Sequence, residues 1–149
     1  MRYYIAYGSN TPQEMKERCP DSKFLGVVTL KGFRLLFRYY ATVEESKHSK
    51  LKVMLYEISN EDEMSLDNYE GYPTLYDKKK VPVKYRGKTV PALIYFMPQS
   101  VLINEFMPSR FPDSGYFARC IAGYKKSGIP LRQLEEAVCY TVKKMQGEV

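Results

Sequence analysis

The chain has no tryptophan, one histidine and three cysteines among its 149 residues. Each scarcity removes a class of chemistry. Cys19, Cys120 and Cys139 are an odd set with no close pair, which argues against a disulfide framework and gives no zinc spacing. His48, the only histidine, stands in the polar stretch EESKHSK, read here as a solvated loop. A His-based metal site is therefore disfavoured, as is a Ser-His or Cys-His catalytic pair. The apolar runs fall far short of a membrane span, and no charged-then-apolar leader opens the sequence. No membrane partner is expected, and a reduced, cytoplasmic setting is the expectation.

What the chain does have is tyrosine, 14 in all, on a globular composition that is 44% hydrophobic. A tyrosine packs its ring and still offers a hydroxyl, so it suits a core rim or a pocket wall equally. One domain spanning 1–149 is expected, with material for a real core. The formal charge is +6, and the densest basic run is Lys78, Lys79 and Lys80, followed by Lys84, Arg86 and Lys88. These fall on a predicted hairpin, where solvated lysine commonly guards an edge strand. A nucleic-acid partner is disfavoured on this evidence. The oligomeric state is left open.

Residues 2 to 7 read as a strand that stops abruptly at Gly8, Ser9 and Asn10. TPQE then reads as a helix start: Thr11 as cap, Pro12 in the first position and Glu14 completing a capping box. That helix runs to about Cys19. Two strands, FLGVVTL and FRLLFRYYATV, are predicted to join at Lys31 and Gly32. Residues 44 to 50 read as a charged loop, and LKVMLYEI as a further strand. Residues 59 to 71 read as a helix capped by Ser59 and stopped by Gly71, with Met64, Leu66 and Tyr69 facing inward. A strand pair follows, 76 to 86 and 88 to 97, turning at Arg86 and Gly87, with Pro82 and Pro91 placing both strands at edges or bulges. Residues 98 to 115 read as a loop or lid with a helical turn at 100 to 106. Two helices close the chain, the second with an apolar stripe of Leu131, Leu134, Val138, Val142 and Met145. The fold class is α+β.

Two features carry chemistry. A strand that ends at glycine and hands over to a helix start bares several backbone N–H groups, a nest that attracts a carboxylate or a developing oxyanion. A plain turn is the competing account. The second feature is Glu70, at the end of its helix in LDNYEGYPTLY. The negative end of the helix dipole disfavours an ionised carboxylate there, and Tyr69, Tyr72 and Tyr76 are neighbours that would desolvate it. A carboxyl raised towards neutrality is suited to moving protons. A solvated glutamate beside a capping glycine is the competing account.

Taken together, four stretches resemble the γ-glutamylcyclotransferase-like family: YIAYGSN, LKVMLYEI, LDNYEGYPTLYDKKKVPV and PDSGYFARCIAGYKKSGIP. The resemblance spans most of the chain and is weak over residues 39 to 50. It implies a small mixed β-barrel flanked by short helices. It also implies cyclisation of a γ-glutamyl group to 5-oxoproline with release of an amine or amino acid, using no metal or cofactor. By that resemblance Tyr7, Gly8, Ser9 and Asn10 cradle the γ-glutamyl group, Glu70 is the acid and base, and Tyr76 and Tyr116 belong to the pocket. Thr11 stands where the family often has leucine, and Val53 where it usually has glycine; both bear on substrate choice. Two other classes stay open: a binding protein on the same fold that holds an acidic or γ-glutamyl small molecule, and a basic nucleic-acid module.

Overall fold

The computed structural model describes residues 2–98 and 112–147. Its frame is a five-stranded mixed sheet of order β2-β3-β1-β5-β4. β1 (Arg2–Ala6) is central, antiparallel to β3 (Tyr40–Ile58) and parallel to β5 (Lys88–Phe96). Tyr4, Ile5 and Ala6 are consecutive and all buried, so both faces of β1 are covered. The strand nearest the N-terminus is thereby enclosed on both faces. Whatever leaves its end emerges from the middle of the molecule.

β2 (Lys23–Arg38) and β3 form one long antiparallel hairpin. Here the structure corrects the sequence reading. Gly32 is not a turn between two strands. It sits in a bulge of a single strand, with φ 86°, and the chain reverses later, around Tyr39. Nor are residues 44 to 50 a loop. Glu44 and Glu45 pair with Arg34 and Phe33, and Lys50 pairs with Lys31. Residues 46–49 face Gly32 alone, a wide excursion bridged by Ser46 and Ser49 hydroxyls 2.7 Å apart. The charged run broke the apolar alternation on which strand prediction rests, while backbone pairing continued regardless. His48 is exposed within this excursion.

α1 (Pro12–Arg18) starts as expected at Thr11, whose hydroxyl accepts from the Glu14 N–H. The capping box is not closed, because the Thr11 N–H is taken by the Ser9 carbonyl at 2.8 Å. Glu14 turns instead to Arg18. α2 (Asn60–Glu70) carries a full box between Ser59 and Asp62 and stops at Gly71, φ 67°. Asp62 and Leu66 are its buried residues. Glu70 follows at the same spacing of four, so it projects from that inward face. Met64 lies on the opposite side and is 67% exposed, which corrects its expected inward placement; Tyr69 is also largely exposed.

β4 (Asp77–Tyr85) and β5 form the second hairpin, turning at Arg86 and Gly87, both with positive φ as a tight two-residue turn requires. β4 is an edge strand, as its lysines suggested. β5 is an inner strand, and Pro91 is tolerated because it lies just outside the short ladder to β1. The two sheet edges bend toward one another: Lys79 of β4 lies 5.0 Å over the Phe33 ring of β2. The α+β fold is thus a curved, open sheet, and barrel describes it only loosely.

α3 (Ser114–Ser127) is capped by Asp113 and ended by Gly128. α4 (Arg132–Met145) packs on β2, where the Phe37 N–H donates to Thr141 at 2.9 Å. Its buried line runs through Leu134, Ala137 and Thr141, with Met145 exposed, so the apolar stripe is rotated from the expected one. The helical turn expected at 100 to 106 lies outside the described residues. Among those described, no helix is long and apolar enough to cross a membrane.

Candidate active site

A cavity of about 240 Å³ opens where the end of β1, the β2–β3 hairpin tip, the end of α2 and the start of α3 meet. Tyr7, Gly8, Ser9, Asn10, Glu70, Tyr76 and Tyr116, the residues that the family resemblance assigns to the site, all line it. Seven of the lining residues are tyrosines, half of the chain's 14. Among the described residues, only Glu70 and Arg119 bring charge to the wall.

The loop comes first. The β1 ladder ends at Ala6, opposite Met54, and the next residues leave the sheet. Gly8, Ser9 and Asn10 thus lie beyond the strand pairing and line the cavity. Long-range bonds hold this loop. The Tyr124 hydroxyl donates to the Tyr7 carbonyl at 2.7 Å, and the Tyr56 hydroxyl donates to the Asn10 carbonyl at 3.1 Å. The Tyr7 hydroxyl donates to the Tyr95 carbonyl at 2.7 Å. Gly8 admits close approach: a Cβ there would sit 3.1 Å from the Ala41 Cβ and 3.2 Å from the Tyr116 hydroxyl. Gly123 of α3 does the same for the cap, since a Cβ on it would meet Thr11 Cγ2 at 2.1 Å. Helix and loop are in contact because that side chain is absent.

The hairpin tip is clamped from two sides. Tyr76 donates to the Ala41 carbonyl at 2.6 Å, and the Ala41 N–H donates to the Tyr116 hydroxyl at 3.0 Å. Burial pushes the phenols of Tyr4, Tyr7, Tyr76 and Tyr116 well above their ordinary range. They remain protonated at neutral pH and act as neutral hydrogen-bonding groups.

Glu70 faces this wall from the end of α2. Burial among the rings is the main influence on it and pushes its pKa up to about 7, against the opposing pull of the Arg18 charge and a hydrogen bond from Asn10. The Asn10 amide nitrogen lies 3.3 Å from Glu70 Oε1 and 2.8 Å from the Tyr4 hydroxyl. The expected direction of the shift is therefore present. Its leading cause is desolvation, and Tyr72, one of the three neighbours expected to supply it, is not in the cavity wall. Tyr72 instead lies under Lys78, with the ammonium 4.4 Å from its ring.

Sequence reasoning missed Tyr4, Tyr40, Tyr95, Arg18 and Arg119. The first three were hidden in strands whose aromatic content reads simply as core. Arg18 lies in the last turn of α1, where a basic residue is ordinary. Val53, which departs from the family pattern, is fully buried and does not line the cavity. Among the described residues no cluster of three or more metal-ligating acids, histidines or cysteines is present.

Comparison with known proteins places the chain in a family and a fold. A family model described as gamma-glutamyl cyclotransferase, AIG2-like, matches residues 4–117. A protein of Methanocaldococcus jannaschii named "Putative gamma-glutamylcyclotransferase" is 30% identical over 109 residues, covering 67% of this chain and 88% of the relative. A solved structure named gamma-glutamyl cyclotransferase superposes with a TM-score of 0.72 at 23% identity, over 91% of this chain and 85% of its own. A human protein described as uncharacterized superposes with a TM-score of 0.76 at 25% identity, with the same coverage.

Proposed function

The chain belongs to the AIG2-like gamma-glutamyl cyclotransferase family, and from that premise we propose that it converts a small γ-glutamyl compound to 5-oxoproline and a free amine or amino acid, with Glu70 carrying the protons. The observation that bears most on this reading is a carboxyl with a pKa of about 7, placed in a cavity wall opposite the loop at Gly8 to Asn10.

The chemistry is intramolecular. The substrate's α-ammonium must lose a proton before its nitrogen attacks the γ-carbonyl carbon. Ionised Glu70 accepts that proton. The new C–N bond closes a five-membered ring and leaves a tetrahedral oxyanion. As the oxyanion collapses, the bond to the leaving nitrogen breaks, protonated Glu70 returns the proton to that nitrogen, and the ring nitrogen sheds its second proton to solvent, leaving the neutral lactam and ionised Glu70. A carboxyl near pH 7 is matched to both halves of the cycle. The backbone N–H groups beyond the β1 ladder are the donors we assign to the oxyanion or to the substrate's α-carboxylate. Holding the glutamyl chain folded supplies much of the rate, since well-oriented intramolecular groups reach effective molarities of about 10⁵ M or more. The tyrosine wall serves that purpose: its hydroxyls are fixed by bonds to the backbone, so its shape is set before substrate arrives.

The test is incubation of the purified protein with a panel of γ-glutamyl amino acids, peptides and amines, with 5-oxoproline read by mass spectrometry, beside Glu70→Gln. Product from the native chain and none from the folded variant is the expected result. Product from both would remove Glu70 from the mechanism. Binding of panel compounds without product would replace catalysis by a binding role for the same cavity.

A further inference from the structure

Arg18 stands in an unusual position for an arginine near a buried carboxylate. Its side chain is 17% exposed and its nearest carboxylate oxygen is on Glu14, at 3.6 Å on its own helix. Its guanidinium carbon lies 3.3 Å from the centre of the Tyr69 ring. A guanidinium N–H donates to Asn10 Oδ1. Asn10 is 4% exposed, and its amide nitrogen is shared between Tyr4 and Glu70.

An asparagine amide has one end that accepts and one that donates, and it can turn over. Arginine has only donors. An arginine against one end therefore dictates which end that is. We infer that Arg18 is a positioning residue of this site: by donating to Asn10 Oδ1 it fixes the amide so that Nδ2 faces Glu70. The stack on Tyr69 and the pair with Glu14 hold the guanidinium in place for this task. Asn10 then acts on Glu70, with its polar side-chain atoms already committed, and its backbone stays available to the loop.

The groups facing Glu70 support this assignment. They are Tyr4 from β1, Tyr7 from the loop, Tyr76 beyond its own helix, Tyr116 from α3 and Arg18 from α1, while Tyr69 and Arg119 line the same cavity. The buried phenols among them are held neutral. Arg18 is the charge that counters the burial of Glu70. Without it the amide is free to present its oxygen to the carboxylate, and both changes favour the protonated acid.

The importance of this arrangement for turnover rests on the cyclotransferase reading; the arrangement itself does not, and the test separates the two. The side-chain carboxyl carbon of Glu70, labelled isotopically and assigned by its loss in Glu70→Gln, is titrated by NMR in the native protein, Arg18→Gln and Arg18→Lys. The expected result is a midpoint higher by about 1 pH unit or more in Arg18→Gln, with at least half of the rise reversed in Arg18→Lys. An unchanged midpoint in folded Arg18→Gln overturns the inference. Should that variant not fold, Asn10→Asp serves: it keeps Arg18 satisfied and sets a carboxylate against Glu70, so the same upward shift is expected and its absence is equally decisive. If 5-oxoproline is formed, the acid limb of the pH–rate profile moves with the NMR midpoint. A moving midpoint in a protein that cyclises nothing leaves Arg18 as the positioning residue and removes the cyclotransferase reading alone.

Discussion

Replacing Glu70 with glutamine should stabilise the protein, and by an amount that depends on pH. The folded carboxyl has a pKa of about 7, against 4.5 for an ordinary glutamate. Below the lower value both folded and unfolded chains hold the proton and the group contributes no pH dependence. Between the two values the folded chain binds a proton that the unfolded chain has released, so stability falls as pH rises. Above about 7 the loss is complete, because folding then encloses an ionised carboxylate. Each unit of difference corresponds to about 1.4 kcal/mol, so the full penalty is about 3 kcal/mol. Near pH 5 about 1 kcal/mol of it is present, leaving a change of about 2 kcal/mol on moving to about pH 8. Glutamine is close in shape and carries no charge, so Glu70→Gln removes the penalty wherever it exists. Urea unfolding of both proteins at these two pH values measures it. The stability advantage of the variant should be small at the lower pH and grow by about 2 kcal/mol or more at the higher. An advantage equal at both would refute the claim that Glu70 is desolvated in the fold. A destabilised variant at the higher pH would mean that the carboxylate gains more from Asn10 and Arg18 than it loses by burial.

Other expectations follow from neighbouring contacts. If Glu70 acts as base, the rate of cyclisation should rise through a limb near pH 7, since the ionised form must be present to take the first proton; a limb centred near 4.5 would place the titrating group elsewhere. Gly123→Ala should destabilise by about 2 kcal/mol, because overpacking against Thr11 outweighs the roughly 1 kcal/mol that alanine gains in a helix. Adding Thr11→Ser should recover part of that loss, as it deletes the methyl at 2.1 Å and keeps the hydroxyl cap while the Cβ contact at 2.9 Å remains; thermal unfolding of the single and double variants decides. Tyr124→Phe should cost about 1 to 2 kcal/mol in urea unfolding, as the buried Tyr7 carbonyl loses its donor.

Local signals were legible where chemistry and spacing fall within a few residues. Thr11 before Pro12, Ser59, Gly71 and the Arg86-Gly87 pair each act within one turn of chain, and each produced the expected boundary. Glu70 could be placed for the same reason, since it closes a helix whose ends were marked. The long hairpin was not legible. Its outer half is charged, and what keeps Glu44 in a strand is a lysine and a tyrosine a hundred residues away: Lys144 and Tyr140 bind it at 2.8 and 2.6 Å. The wall tyrosines were equally hidden, because a ring that packs in a core and one that faces a cavity have the same propensity. Arg18 has no local signature at all; its meaning depends on which end of Asn10 it touches.

The tyrosines also explain how a loop without strand pairing can be part of a rigid site. Five buried hydroxyls around it are bonded to the main chain of another segment: Tyr124 to Tyr7, Tyr56 to Asn10, Tyr7 to Tyr95, and Tyr76 and Tyr116 to the two sides of Ala41. The hydroxyls do the work that ladder hydrogen bonds do elsewhere in the sheet. The rings do something separate, which is to exclude water from Glu70. Phenylalanine supplies the second without the first, tryptophan cannot accept a hydrogen bond, and histidine would bring a charge into the titration range of Glu70. A wall that must order three backbone segments while leaving one carboxyl desolvated is therefore drawn to tyrosine. The abundance of that residue and the scarcity of the other two are both consistent with this one requirement.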